Sequence, residues 1–355
     1  MYLCVLHMKK IIALKLLLLL HFIAFSTPRF LLPVVNEIGK WGYIDSSGSQ
    51  IIPYQFDLAY QFTEERGLVA VSVNGEYKYS FIDPNGNLIG DWKFTEAHPF
   101  NNGYALVRFF IDALNLTWGY IDKQGNFSPP ISCSDARSFN GGYAAVEKLT
   151  GWGFINKSFK ETIKGQYTTV GVFSEGLCAA AVGRDSLQRW CFVNSLGQQI
   201  TTFKYIQAGK FSDHLASAGI EIEEKSGRKV LKRKVYGYIG GNGDFFIPAK
   251  FEEAYDFNEG LARVKQNGIE MFVDLNGNTV ITLDSAVHAA SFHYGFAAVS
   301  TSDGRAYFID KNGNIAYDYN FVSITDFFNG YSFFIKRNGT QGYLDYNGNI
   351  IWKNK

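Results

Sequence analysis

A phrase built on Trp-Gly recurs nine times in this chain at intervals of about 36 residues, and that recurrence limits the possible folds more than any other feature. At Trp41 it reads Trp-Gly-Tyr-Ile-Asp-Ser-Ser-Gly. Altered copies begin at Tyr79, Trp118, Trp152, Trp190, Tyr236, Glu270, Ala306 and Gln341. Between them lies a second phrase, a Phe followed three residues later by Gly, at Phe100, Phe139, Phe173, Phe257, Phe292 and Phe327. Phe62 reaches its glycine only at Gly67, and Phe211 has His214 in that place. From the Asp position of the first phrase to this Gly position the spacing is 20 to 22 residues, whereas the return to the next Asp position varies from 14 to 26. Insertions collect at exposed hairpin tips, so the variable half contains such a tip.

Each unit reads as strands. Leu261-Ala262-Arg263-Val264 and Met271-Phe272-Val273-Asp274 flank Asn267-Gly268, a type I′ hairpin signal. Asp274-Leu275-Asn276-Gly277 then makes a second turn, with Asp accepting backbone hydrogen bonds and Gly closing it. Val280-Ile281 supplies a third strand, matched by Ile51-Ile52 and Ile350-Ile351. No helical stripe is convincing beyond the first residues. The phrase carries an aromatic residue in every copy (Tyr43, Phe81, Tyr120, Phe154, Phe192, Tyr238, Phe272, Phe308, Tyr343), and the next position is always aliphatic. Neighbours in a strand face opposite ways, so this strand is covered on both faces. A partner-strand column is small or nearly so: Val69, Ala105, Ala144, Cys178, Ala216, Ala262, Ala297 and Ser332. Such units seal one another, which is the physics of a repeat array.

The phrase Lys40-Trp41-Gly42-Tyr43-Ile44-Asp45, with Gly48, Ile51-Ile52-Pro53, Phe62 and Gly67-Leu68-Val69-Ala70-Val71, resembles the WG-repeat (KWG-repeat) family of bacterial proteins. The resemblance spans residues 38–353 and implies an all-β repeat scaffold, often exported, without shared catalytic residues. The expected fold is a run of tandem β-hairpin or three-stranded repeats, about eight to nine, over residues 38–355. Nine first halves meet only eight second halves, and closure by strand exchange prefers complementary ends. An open superhelical array is therefore expected, with a closed propeller of seven or eight blades as the alternative.

The N-terminus is a separate object. Lys9, Lys10 and Lys15 precede the apolar run Leu16–Leu20, continued by Phe22-Ile23-Ala24-Phe25. This is too short to span a bilayer and has the flanks of a secretory signal, with cleavage expected after Ser26. Residues 1–26 are thus read as a signal peptide and residues 27–37 as a linker, the uncleaved leader as the one route to a membrane, and the destination as the periplasm or cell surface. With 34 basic and 33 acidic residues, the chain implies no nucleic-acid partner.

Chemistry is sparse in the pattern. His288 and His293 lack the His-x-x-x-His spacing of a zinc protease, and no Gly-x-Ser-x-Gly elbow is present. The Asp ladder (Asp45, Asp83, Asp122, Asp274, Asp310, Asp345) is explained by turn formation without a metal. Cys178 and Cys191 sit diagonally on one hairpin, in slots that other copies fill with Ala or Gly, and read as small buried thiols. No catalytic residue, cofactor or metal ligand is expected. One column changes character along the chain: Trp41, Tyr79, Trp118, Trp152, Trp190 and Tyr236 are followed by Glu270, Ala306 and Gln341. The six rings are candidate ligand-binding residues, a row for stacking on sugars or gripping a peptide, with inter-unit packing as the competing explanation. The function expected is an exported, non-enzymatic scaffold binding protein or envelope glycan. An enzyme assembled from several repeats and a purely structural envelope protein are the other readings.

Overall fold

The computed structural model describes residues 30–226, 229–283 and 287–354. The expected leader, residues 1–26, lies outside them. The first unit holds β1 (Leu32–Val35), β2 (Trp41–Ile44) and β3 (Gln50–Phe56). The second holds β4 (Leu58–Ala59), β5 (Gly67–Val73), β6 (Glu76–Ile82) and β7 (Leu88–Phe94), antiparallel in that order. Seven further units repeat this plan, and the only helical turn among the described residues is Asp185–Leu187. The chain is an all-β tandem array. Its longest hairpin, Ala216–Ser226 with Lys229–Ile239, is where the widest spacing in the sequence falls, as hairpin-tip insertion requires.

The glycine of the Trp-Gly phrase has a steric cause. The strand that follows it, β3 in the first unit, bulges opposite it: Trp41 pairs with Phe56, but Tyr43 pairs with Ile52. That bulge drives a carbonyl onto the glycine, so that a Cβ at Gly42 would meet the Ile52 oxygen at 2.5 Å. Where Met271 stands in the glycine slot, Met271 pairs with Thr282 and Phe272 with Ile281 without a bulge between them, the register shifting only before Val273, whereas Ser80 and Tyr307 keep the bulge without glycine. The Asp turns form as read: Asp274 Oδ1 accepts the N–H groups of Asn276 at 2.9 Å and Asn278 at 2.8 Å.

Packing between units explains both aromatic columns. The ring of each phrase meets the Phe of the next unit, at centroid distances from 4.6 Å (Tyr238–Phe257) to 5.1 Å (Phe192–Phe211), through all eight junctions. Tyrosines in the column also donate forward, Tyr43 to the Tyr60 carbonyl at 2.8 Å and Tyr120 to that of Arg137 at 2.7 Å. No unit could bury these rings alone.

Two sequence assignments shift. Glu65 (φ 63°), not Gly67, occupies the turn position after Phe62, which restores a 20-residue spacing from Asp45. Gly67 is instead the first residue of β5, opposite Ile82, just as Ala105 stands opposite Ile121. The small column therefore holds Gly67 rather than Val69, and a Cβ there would meet the Phe62 ring at 2.6 Å. Most units also have four strands, not three. The extra one is two or three residues long, and at Asp57, Thr95, Thr168 and Glu252 a single corner residue separates it from the previous unit's last strand. So short a segment leaves no alternation to read.

No sheet closes into a barrel, and no backbone ladder joins the last unit to the first among the described residues. The array is open in its backbone hydrogen bonding, with nine units rather than seven or eight. Its ends nevertheless lie side by side. Leu32, Val34 and Ile44 share one buried cluster with Tyr343, and Tyr331, Phe333, Ile351 and Trp352 pack around it. Tyr343 donates to the Pro33 carbonyl at 2.8 Å, and Asn329 reaches the Phe62 carbonyl at 3.3 Å. Side chains, not exchanged strands, bring the termini together.

Candidate functional site

The six candidate rings are distributed, not gathered. Trp41, Tyr79, Trp118, Trp152, Trp190 and Tyr236 each belong to a different inter-unit cluster. Trp118 and Trp152 are only 8% and 7% exposed, with the Arg108 guanidinium 5.2 Å from the Trp118 ring and that of Arg137 4.5 Å from the Trp152 ring. For these two the expected exposed row is replaced by packing under a cation. The other four are half-buried. The column changes after Tyr236 because the seventh unit meets the need differently. Arg263, 8% exposed, lies 3.8 Å from the Tyr255 ring centre and pairs with Glu270 at 3.2 Å. Nδ1 of His288 stands 2.8 Å from the same guanidinium. A buried charge must be paired, and Glu270 in the Trp position supplies the partner.

Antiparallel pairing gives the array two faces. One carries the turns that follow each Phe, together with the Asp turns. Neighbouring units clasp one another there. Glu64 accepts the Gly103 N–H at 3.0 Å, Asn102 that of Gly142 at 2.9 Å, Glu175 that of His214 at 3.0 Å, and Asp213 that of Gly260 at 2.7 Å. Glu259 accepts from Tyr294 at 2.6 Å and Gly295 at 2.9 Å. Burial opposes the Glu259 charge, but these two N–H groups and Lys311 outweigh it and hold the carboxyl below its ordinary range. His214 stands in the turn as expected, at φ 69°. On this face a depression of about 500 Å³ draws residues from five units, including Phe30, Glu64, Asn101, Ser138 and Phe328.

The opposite face carries the hairpins between second and third strands. Their tips raise Ile38, Ile111, Leu114, Leu149 and Leu187 into solvent, each more than 60% exposed. A cleft of about 700 Å³ opens on this side at the seam where the ends meet. Val35, Asn36 and Tyr54 of the first unit face Gln341, Trp352 and Asn354 of the last across it. Nothing in the sequence pattern marks this cleft, because its two walls are about 300 residues apart.

Cys178 pairs with Val193 and Cys191 with Ala180, the diagonal arrangement expected, and both carry free thiols. Burial pushes each up to about 12. Among the described residues, no group of three or more His, Cys, Asp or Glu is placed to hold a metal.

A serial array of small β units, each completed by the next, defines a β-repeat protein. The WG-containing repeat matches residues 41–77, 79–109, 118–149, 152–183, 236–268 and 308–340, more than half the chain, and the protein belongs to that family. No curated protein matches it. Among solved structures it is similar to BamB from Moraxella catarrhalis, at 10% identity over 81% of this chain and 96% of that one, with a TM-score of 0.45. It is also similar to the computationally designed Ika8 protein (13% identity, 74% and 86% covered, TM-score 0.43) and to the WD40 β-propeller domain of Doa1 (14%, 62% and 81%, 0.32). These likenesses are weak in sequence and in shape, and family membership rests on the Trp-Gly units.

Proposed function

We propose that this protein is an exported, non-enzymatic scaffold whose hairpin face docks a protein partner in the cell envelope. The observation that carries the reading is the set of five aliphatic side chains on hairpin tips, Leu149 standing fully exposed and Leu114 at 90%. Apolar groups held clear of the surface by stiff hairpins cost free energy in water and regain it under a partner. Export is supported by the basic and apolar pattern of residues 1–26. The test is pull-down from envelope extracts with the whole chain and with a Leu114→Ser, Leu149→Ser, Leu187→Ser triple variant. Capture by the first and not the second is the expected result, and equal capture removes the hairpin face from the reading.

A glycan ligand is the second reading. It draws support from the depression on the turn face, where the rings of Phe30 and Phe328 stand beside Asn101 and Asn329. A glycan panel run on the same two proteins separates the readings, since the tip changes leave the turn face untouched.

A further inference from the structure

In eight of the nine units the second strand has a partner on its outer edge, a separate strand of two or three residues in seven and the end of the ten-residue strand Ile315–Ile324 in the last. The residue after that partner always donates its N–H to the second strand: Tyr60 to Leu68 at 2.9 Å, His98 to Leu106 at 2.9 Å, Arg137 to Ala145 at 2.9 Å, and so on to Thr325 to Phe333 at 2.9 Å. The residue before it makes the matching bond, such as Asp57 to Ala70 at 2.9 Å. In the first unit, β1 has no such neighbour among the described residues, its only ladder being with β2.

The edge left open is defined. Asn36 donates to the Lys40 carbonyl at 2.9 Å, so hydrogen-bonding alternation turns the Val35 N–H and C=O away from β2. Pro33, two residues back, shares that orientation, and its carbonyl takes the Tyr343 hydroxyl at 2.8 Å where the other units take a backbone N–H. Among the described residues no strand pairs with the Val35 N–H and C=O on this side, and Val35 lines the seam cleft of about 700 Å³ with Tyr54 and Trp352. A strand edge without a ladder among the described residues, half-buried at Val35 and beside a cleft, is the geometry of strand addition.

We propose that the seam cleft binds an extended polypeptide segment of the partner, which pairs with β1 as the missing first strand. The occupant is a peptide because the same slot is filled eight times in this chain by extended backbone, seven times by a separate strand of two or three residues. Bonds to Val35 give the attachment, and Tyr54 and Trp352 contact alternate side chains of the peptide. The inference rests on the reading of the protein as a partner-binding scaffold and places a second contact, bordered by the Ile38 tip but distinct from Leu114, Leu149 and Leu187.

A synthetic peptide of residues 250–257 is the probe, since this stretch fills the equivalent slot of the seventh unit through the Glu252 and Tyr255 N–H groups. With the full chain, binding is expected together with slowed exchange of the Val35 amide. Val35→Pro removes the cleft-side N–H without touching the bonds to β2, and about tenfold weaker binding is expected against no change for Val35→Ala. A peptide N-methylated at the residue 252 position, whose N–H meets Lys265 where the first unit has Val35, serves as a control that leaves the protein unaltered, and it should not bind. Three results overturn the proposal: no binding, equal binding of the methylated peptide, or a Val35 amide already protected in the free chain, which would mean that the chain fills its own slot. The Leu114, Leu149 and Leu187 changes should leave peptide binding intact, so failure of the hairpin-face reading is seen separately.

Discussion

The Tyr343 hydroxyl donates to the Pro33 carbonyl at 2.8 Å across 310 residues of sequence. Pro33 stands opposite Tyr43 as Leu68 stands opposite Phe81, so the last unit meets the first much as the first meets the second. Tyr343→Phe removes this bond and leaves a buried carbonyl unsatisfied, at a cost of about 1–3 kcal/mol. Tyr43→Phe, which loses the bond to Tyr60, should cost a similar amount in urea unfolding. A neutral Tyr343→Phe beside a costly Tyr43→Phe would show that the ends part in solution.

Trp118→Ala and Trp152→Ala should each destabilise the fold by about 3–5 kcal/mol, because both rings are buried between units. Denaturant midpoints measure this, and a loss below about 1 kcal/mol in both would return the column to the surface.

His214→Gly and Glu65→Gly should each raise stability by about 1 kcal/mol. Both residues hold a turn at positive φ, 69° and 63°, where most units have glycine, and the His214 clasp to Glu175 uses the backbone N–H that glycine retains. A lower melting temperature in both variants would contradict the backbone argument.

Cys178 and Cys191 should resist thiol reagents in the folded chain, being buried and pushed up to about 12. Labelling that begins only with unfolding is the expected time course. Rapid labelling under native conditions would mean that this hairpin opens.

Acid should weaken the array through its Asp turns. At Asp83, Asp122, Asp274 and Asp310, burial opposes ionisation, but backbone and side-chain N–H donors outweigh it and hold each carboxyl below its ordinary value. Carboxylates that ionise more readily when folded contribute stability above the unfolded value of about 3.9, and this is lost as pH falls through the folded one. Unfolding midpoints for Asp274→Asn and the parent should therefore converge at the acid end. Asp326, exposed at its surface, has the opposite sign, since partial desolvation raises its carboxyl despite His293. Asp326→Asn should gain stability near neutrality and lose that gain in acid, and a gain that persists in acid would exclude the charge as its cause.

The strands and turns of the third-strand phrase were readable because each carries a local signal. Asn267-Gly268 marks the hairpin, and both residues adopt the positive φ that a type I′ turn demands, 52° and 76°. The short first strands were not readable, since Leu58-Ala59 or Glu96-Ala97 is too brief for alternation and owes its conformation to the strand beside it. Gly67 was misplaced for a related reason: glycine serves both positive φ and close approach, and only the Phe62 ring against it shows which use applies.

The sequence by itself determined the unit, its strand order, the aromatic and aliphatic columns and the need of each unit for a neighbour, because periodicity and turn chemistry act within a few residues. The tertiary structure alone decided that unit one follows unit nine, that the Trp column is shared out among separate interfaces, and that no described strand pairs with the outer edge of β1. Those outcomes depend on how small rotations between units add up around the array, and no single unit encodes the sum.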